Sequence, residues 1–201
     1  MEVRTINSSE LEKLSLTLLE AVQKAHGNID VLVGIASGGA YISQIMQKKL
    51  RSEGWHGSYF ELSLPRSSTQ TKRAFGLKRL LTKLPYSILD LLRKAESRFH
   101  EARKPAKCDL SSKQVPLLPE EKQVIETAQS LLIVDDAVDT GTTLLAVKQT
   151  IQKINPDIKI VTAVLTVTHK TPYIEPDHTL LRDVLLRCPW ADDYKGEDSI
   201  G

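Results

Sequence analysis

An apolar run that ends abruptly in acidic residues is the feature of this 201-residue chain that most constrains its fold. Leu131 to Val134 are all apolar, and Asp135, Asp136 and Asp139 follow directly. Such a run is typical of a buried strand in a parallel sheet, and in open α/β proteins the carboxyl end of that strand faces a ligand crevice. We therefore predict a strand that carries three carboxylates into a binding site.

A turn rich in Gly and Thr follows these carboxylates. Thr140-Gly141-Thr142-Thr143 precedes an apolar-periodic segment, Leu144 to Ile154, which predicts a helix. The backbone N–H groups and the positive dipole end of a helix that starts this way suit a phosphate. Adjacent carboxylates repel a phosphate, but they accept hydrogen bonds from sugar hydroxyls or bind Mg²⁺. Together the two halves of the motif predict a sugar-phosphate site.

Two other interpretations of the motif stay open at this point. An acidic loop in which Thr140 N-caps the next helix would explain one threonine, but not three carboxylates after an apolar strand. The spacing of Asp135, Asp136 and Asp139 also fits the DDxxD diphosphate motif of prenyl-transferring enzymes. Those motifs lie on long helices, so the short apolar run and the glycine favour the sugar-phosphate site.

Residues 131–143 resemble the 5-phosphoribosyl 1-diphosphate (PRPP) motif of the type I phosphoribosyltransferases, and the Asp-x-Val-Asp-Thr-Gly form is most similar to the hypoxanthine-guanine and xanthine-guanine branch. The resemblance implies that Asp135 and Asp136 bind the ribose hydroxyls of PRPP. It also implies that Asp139 is the catalytic acid/base beside N7 of a purine. The implied cradle for the 5′-phosphate consists of Ala137, Val138, Thr140, Gly141, Thr142 and Thr143.

A second glycine-rich turn ends the strand predicted at 30–36 and precedes a helix predicted at 40–50. Its spacing matches neither a dinucleotide fingerprint nor a nucleophile elbow, and alone it is also compatible with any tight turn between strand and helix. Beside the acidic motif it resembles the pyrophosphate loop of the family, Ala36, Ser37, Gly38 and Gly39, with a cis peptide between Ala36 and Ser37. Many 6-oxopurine members have Lys or Arg where this chain has Ser37, so a charge-assisted contact to pyrophosphate is missing.

The C-terminal residues 169–201 resemble the hood that covers the purine in the same branch. The resemblance implies that Lys170, or His169 in a one-residue shift, reads an exocyclic oxygen of the base. A backbone carbonyl near Leu186 or Arg187 would read the edge of the base. The alternative interpretation of this stretch is an edge strand with a polar tail.

Two further hood residues are candidates through the same resemblance. The stacking aromatic of the family falls on an aliphatic residue here, Leu185 or Leu186, so Trp190 is the candidate to stack on the base. Asp193 matches a Mg²⁺ ligand, and the implied cofactor is Mg²⁺.

The segment 66–107 carries twelve Lys or Arg residues against three acidic ones, so the rest of the chain is net acidic by seven. Leucines spaced from Leu77 to Leu84 and an N-cap at Ser87 predict two helices, a basic helical hairpin. A solvated basic face, a surface for a protein partner or a second subunit, and a nucleic-acid surface are the alternatives. Nucleic acid is not favoured, because the basic residues are not interleaved with exposed aromatics.

The remaining sequence predicts one domain, residues 1–201, with a first helix that a capping box of Ser9 and Glu12 begins and Gly27 ends. Further strands are predicted at 57–64 and 158–168. Cys108 and Cys188 form no disulfide framework, which favours a reducing cytosol. Without a signal peptide pattern or an apolar run of membrane-spanning length, we expect a cytoplasmic protein with no membrane partner.

These observations predict an α/β fold, a doubly wound parallel sheet of the type I phosphoribosyltransferase kind, with a basic helical-hairpin insertion and a C-terminal hood. The function that the resemblance implies is transfer of 5-phosphoribosyl from PRPP to a purine or purine-like base, with release of pyrophosphate, by a homo-oligomer. The alternative is a non-catalytic regulator of the same fold that senses PRPP or nucleotides and binds RNA or a protein.

Overall fold

The computed structural model describes residues 1–64, 84–102 and 115–200. Its strands are β1 Glu2–Thr5, β2 Val31–Ile35, β3 Ser58–Leu62, β4 Ser130–Val138, β5 Lys159–Val167, β6 His178–Arg182 and β7 Val184–Arg187. Its helices are α1 Ser8–His26, α2 Gly38–Ser52, α3 Tyr86–Ala102, α4 Pro119–Thr127 and α5 Thr142–Ile154. No helix in the described ranges is long and apolar enough to cross a membrane.

The main sheet has five parallel strands in the order β3-β2-β4-β5-β6. The chain moves outward from β2 to β3 and then returns to place β4 on the other side of β2. This reversal makes a topological switch point between β2 and β4, which is where open α/β sheets bind their ligands. The predicted parallel α/β fold is confirmed, and both glycine-rich turns lie at the switch point.

Helices cover both faces of this sheet. On one face α1 and α2 bury Leu18 and Met46 against Leu32 of β2 and other strand residues. On the other face Ile151 of α5 packs in a second buried cluster with Val33 of β2. Successive side chains of a strand point to opposite faces, so β2 supplies both cores and its sequence is apolar throughout. The sheet is therefore doubly wound, as predicted.

Helix α1 begins two residues earlier than the capping box at Ser9 predicts. Asn7 is the N-cap: its Oδ1 accepts from the Glu10 backbone N–H at 2.8 Å, and Glu10 Oε2 accepts from the Asn7 N–H at 3.3 Å. The predicted box of Ser9 and Glu12 is wrong because an equally well-spaced pair precedes it. Gly27, with φ of 74°, ends the helix as predicted.

The hood contains a small sheet that the sequence did not indicate. β1 pairs in parallel with β7, from Glu2 opposite Val184 to Thr5 opposite Arg187. β6 forms the edge of the main sheet beside β5. The N-terminal residues thus hold the C-terminal strand, and the predicted hood bounds of 169–201 remain a prediction.

The described part of the basic segment is residues 84–102, which include helix α3. It begins at Tyr86, so Ser87 lies within its first turn and the prediction of Ser87 as N-cap is wrong. Leu89 is buried, whereas Ile88, Leu91 and Leu92 are 43%, 68% and 48% exposed. The first helix of the predicted hairpin, and Cys108, lie outside the described residues, and the predicted bounds of the insertion, 66–107, remain a prediction.

Candidate active site

The turns after β2 and β4 meet at the switch point, and two glycines allow the contact. Gly39 lies against the carbonyl of Val134 and the α-carbon of Asp135. Gly38 lies against the carboxylate of Asp136, and a β-carbon on either glycine would overlap these neighbours. The predicted pyrophosphate loop and the first two carboxylates therefore share one location. The peptide between Ala36 and Ser37 is cis, as the family resemblance implied.

The carboxylates occupy the carboxyl end of the central strand. β4 continues to Val138, so Asp135 and Asp136 are strand residues, and both are half-buried. Asp135 Oδ1 accepts from the backbone N–H of Asp136 at 2.9 Å. Asp139 follows the strand and is exposed, and its Oδ1 lies 3.5 Å from the Thr168 hydroxyl at the end of β5. Asp139 is thus accessible to a ligand, whereas β4 fixes the positions of Asp135 and Asp136.

The start of α5 has the geometry of an anion site. Its N-cap is Gly141, with φ of 79° and ψ of 1°, a left-handed conformation that favours glycine. Among the described residues no side chain caps this helix, so the interpretation of Thr140 as a simple N-cap is wrong. The first-turn N–H groups of a helix have no intrahelical acceptor, and together with the helix dipole they suit a phosphate.

The start of the hood lies over this turn. The Tyr173 backbone N–H donates to the Thr140 carbonyl at 2.8 Å, and Ile174 packs against Gly141. His169 and Lys170, the two residues predicted to contact the base, lie in the chain between β5 and this contact. Lys170 is exposed, whereas His169 is half-buried and its Nδ1 accepts from the Thr171 N–H at 3.0 Å.

The Arg187 side chain is buried and is not available to contact a base. It is 1% exposed, and its guanidinium donates to Asp90 at 2.6 Å, to Asp193 at 3.0 Å and to the Thr5 hydroxyl at 2.9 Å. Burial lowers the pKa of Arg187, but the hydrogen bonds to Asp90 and Asp193 outweigh burial and raise it. The side chain is therefore a buried link between α3 and the hood.

The backbone carbonyls proposed to read the base also have partners. The Arg187 carbonyl accepts from the Ile6 N–H at 3.0 Å. The Leu186 carbonyl accepts from Nη1 of Arg93, on α3, at 3.1 Å. A base would have to share or displace these donors, so the predicted carbonyl contact is not preformed.

The Asp193 carboxylate forms ion pairs with two arginines. It is buried, and its oxygens accept from Arg93 at 2.9 and 2.5 Å and from Arg187 at 3.0 Å. Burial raises the pKa of this carboxyl, but Arg93 and Arg187 outweigh burial and hold the pKa below its usual value. A cation would have to displace a guanidinium, so this geometry argues against the predicted role as a magnesium ligand.

The remaining hood candidates pack against the body of the domain. The Trp190 ring stacks on Tyr41 of α2, with centroids 4.9 Å apart and planes 13° apart. Cys188 is buried, and burial and then the nearby Asp136 raise the pKa of its thiol, while Arg93 lowers it. Cys188, the residue after β7, is therefore near Asp136, and base stacking by Trp190 remains a prediction.

The carboxylates of the site suit a metal ion that binds together with the phosphate groups of a substrate. Within the described residues no group of three or more His, Cys, Asp or Glu side chains could hold a metal ion. Magnesium commonly binds through one or two carboxylates together with substrate phosphates and water. Asp135 and Asp136, next to two turns suited to phosphate, are the residues that would hold such an ion.

A cavity of about 570 Å³ opens at the opposite edge of the sheet. Ile29, Trp55, His56 and Ser58 are among its lining residues, which surround the amino ends of β2 and β3. Ligands of open α/β sheets bind at the carboxyl ends of the strands, so we place the functional site at the switch point.

A family model described as the phosphoribosyl transferase domain matches residues 7–184. The chain belongs to the phosphoribosyl transferase family. A search of the curated proteins gave no match for this phosphoribosyltransferase.

Solved structures of low sequence identity share its fold. The purine phosphoribosyltransferase of Pyrococcus horikoshii is 17% identical, with a TM-score of 0.56 over 95% of both chains. The xanthine-guanine-hypoxanthine phosphoribosyltransferase of Helicobacter pylori is 16% identical, with a TM-score of 0.56 over 94% of this chain and 92% of its own. A Neisseria gonorrhoeae protein with bound ppGpp is 13% identical, with a TM-score of 0.57 over 94% and 89%.

Sequence reasoning found the two turns but missed the residues that attach α3 to the hood. Asp90 and Arg93 lie about one hundred positions before their partners, Arg187 and Asp193, and their own segment reads as a surface hairpin. The only sequence signal for this attachment was that the acidic Asp90 and the basic Arg93 lie one helical turn apart. A solvated helix face shows the same spacing of charges.

Proposed function

We propose that this phosphoribosyltransferase transfers 5-phosphoribosyl from PRPP to a ring nitrogen of a purine or purine-like base and releases pyrophosphate. The observation that carries the proposal is the meeting of two glycine turns at the switch point, with the Asp136 carboxylate packed directly on Gly38. One ligand with a hydroxylated sugar between two phosphate groups matches that order of contacts.

Each part of the site then has a separate binding role. Asp135 and Asp136 accept hydrogen bonds from the ribose 2′- and 3′-hydroxyls. The turn 137–143 binds the 5′-phosphate through the start of α5, and the loop 36–39 binds the pyrophosphate. Ser37 contributes no positive charge to the pyrophosphate loop. The negative charge of pyrophosphate would be neutralised by Mg²⁺ when it is bound.

The chemistry requires positioning and one proton transfer. The bond from C1 of the ribose to the pyrophosphate oxygen breaks, and its electron pair leaves with pyrophosphate. A lone pair of the base nitrogen forms the new bond to C1, while the proton on the base passes to Asp139, the exposed carboxylate beside β5. Holding both partners in line and stabilising the separating charge provides the rate enhancement, so no covalent nucleophile is needed.

Calorimetry with matched ligands tests the binding roles. Guanosine 5′-monophosphate should bind at least about tenfold more tightly than guanosine, because only the monophosphate meets the start of α5. Asp136→Asn should weaken PRPP binding. Equal affinities for nucleoside and nucleotide would contradict the assignment of the phosphate turn.

A regulatory role is the second candidate, and one observation favours it. Helix α3 presents Ile88, Leu91 and Leu92 to solvent within a segment that carries nine excess positive charges. Exposed apolar residues in such a setting fit a protein surface, which could also serve the homo-oligomer that we predict. A regulator would retain RNA or a protein in a nucleotide-dependent way without turnover. Retention of RNA should then fall steeply with salt, because phosphate contacts release counterions.

A further inference from the structure

Helix α3 is attached to the rest of the domain by its polar side. The Asp90 carboxylate pairs with Arg187 at 2.6 Å. Arg93 pairs with Asp193 at 2.5 Å. The Arg187 guanidinium also lies over the Tyr86 ring, 4.5 Å from its centroid. Tyr86, Asp90 and Arg93 are spaced four and three residues apart, so they occupy one side of the helix, and that side faces the hood.

The opposite side of α3 is apolar and exposed. Ile88, Leu91 and Leu92 are 43%, 68% and 48% exposed, and Ala95 is exposed as well. With about 3.6 residues per turn, these four positions, which we call the apolar stripe, lie together on the side away from the hood. A surface helix ordinarily turns its apolar side to the core and its charged side to water, and α3 does the reverse. The apolar stripe is therefore a candidate interaction surface.

The charges of α3 argue against nucleic acid or a membrane as the partner of the apolar stripe. The helix carries three acidic and three basic residues, so it has no net charge. The nine excess positive charges of segment 66–107 therefore all lie before or after the helix in the chain. Surfaces that bind phosphate groups or anionic lipid need an excess of positive charge at the contact. The apolar stripe offers none, so a protein partner fits it better.

A second copy of this chain matches the apolar stripe in spacing and in charge. The positions 88, 91, 92 and 95 have the spacing by which helices pair, and Phe99 and Ala102 continue it in the sequence. A neutral helix meets its own copy without net repulsion, and a two-fold contact uses the same patch on both subunits. The chain outside segment 66–107 is net acidic by seven, so the basic residues of one copy are attracted to the other copy.

We propose that the apolar stripe is the centre of a homodimer interface, in which α3 packs antiparallel against α3 of a second copy. The two-fold axis passes near Leu91 and Leu92, the middle of the stripe. A helix of 17 residues is about 25 Å long, and one face of it provides less than the about 800 Å² per partner of a standard interface. Association is therefore expected at micromolar concentrations. The inference does not depend on the proposed transferase reaction.

Sedimentation velocity from about 1 to 100 μM covers the range expected for an interface of this size. Wild type should show a monomer–dimer equilibrium. A double variant, Leu91→Gln with Leu92→Gln, should raise the dissociation constant about tenfold or more, because the central apolar contacts are lost. Leu118→Gln is the matched control, since Leu118 is 56% exposed before α4, and it should leave the dissociation constant unchanged. Circular dichroism would check that each variant is folded.

A mixing experiment tests whether the apolar stripe meets itself. Leu91→Glu and Leu91→Lys each place two like charges at the two-fold axis, so each variant alone should be monomeric. An equimolar mixture brings opposite charges together and should restore association. If the stripe docked elsewhere on the second copy, the mixture would gain nothing.

Three results would overturn the proposal. They are a wild type that stays monomeric over the whole range, a folded double variant that associates like wild type, and a mixture that remains monomeric. A monomeric wild type that binds RNA or anionic vesicles, and loses this binding in the double variant, would assign the apolar stripe to that partner instead. Loss of association in Leu118→Gln to the same extent would also refute the assignment to α3.

Discussion

The carboxylate of Asp136 packs directly on Gly38, the residue that follows the cis peptide of the neighbouring turn. The contact joins the end of β4 to the start of α2 and leaves no room for a side chain at Gly38. The contact therefore sets the separation of the two turns. This separation matters because the two turns are proposed to bind different parts of one ligand.

The first prediction follows from that contact. Gly38→Ala should displace Asp136, lower the free energy of unfolding by about 1–3 kcal/mol through overpacking, and weaken PRPP binding measured by calorimetry. Gly54→Ala is the control. Gly54 has an open environment at the far end of α2 but φ of 85°, so its replacement should reduce stability and leave PRPP affinity unchanged. Equal PRPP affinity for Gly38→Ala and wild type would refute the coupling of the turns.

The second prediction separates proton transfer from binding. Asp139→Asn should lower kcat by roughly 10²–10⁴ while PRPP affinity stays the same, because the exposed carboxylate transfers a proton and does not hold the sugar. Asp157→Asn, an exposed acid at the opposite edge of the sheet, should change neither quantity. Steady-state rates and calorimetry on the same preparations provide the check. A wild-type kcat in Asp139→Asn would remove the acid/base role.

The third prediction concerns the buried network of Asp193, Arg93 and Arg187. The pKa of Asp193 is lower in the folded protein than its ordinary value of 3.8. The unfolded chain therefore binds the proton more readily, and the stabilisation, present above that value, is lost as the pH falls through the folded pKa. Asp193→Asn removes the carboxylate that pairs with the half-buried Arg93 and leaves the buried Arg187 with Asp90 alone, and it should cost about 3 kcal/mol at pH 7. Urea unfolding at pH 7 and pH 3 should show the difference from wild type shrinking in acid, and a constant difference would contradict this account.

The fourth prediction concerns His26 and His178, whose Nε2 atoms lie 2.8 Å apart and join the end of α1 to the start of β6. Burial, and then the neighbouring His26, lower the pKa of His178 below 6.5, although Asp177 opposes the shift. The unfolded chain takes up this proton more readily, so stability present above about pH 6.5 is lost as the pH falls below it. His178→Gln should flatten the dependence of the urea midpoint on pH between 7 and 5. The same slope in both proteins would mean that other groups control this range.

The strands and turns of the site were predictable because their signals are local. Leu131 to Val134 are apolar because β4 is buried on both faces, and the carboxylates follow where the strand reaches the crevice. The N-terminus of α1 shows the limit of such local patterns, since Asn7 with Glu10 and Ser9 with Glu12 have the same spacing. Only the packed structure decides between them.

The hood was less predictable because its contacts connect distant parts of the chain. Arg187 was expected near the base, but it pairs with Asp90 and Asp193 and is buried by α3. No periodicity in either segment specifies that pairing. His169 was a candidate only through a one-residue shift, and no sequence pattern indicates that its Nδ1 accepts from the Thr171 backbone N–H.

Product analysis tests the central claim most directly. The protein would be incubated with PRPP, Mg²⁺ and, in turn, hypoxanthine, xanthine, guanine and adenine, and both nucleoside 5′-monophosphate and pyrophosphate would be quantified. The account predicts that at least one of these purines yields the two products in equal amounts, that ribose 5-phosphate cannot replace PRPP, and that Asp136→Asn loses the activity at subsaturating PRPP. Absence of nucleotide with every purine, from wild-type protein that still binds PRPP, would contradict it.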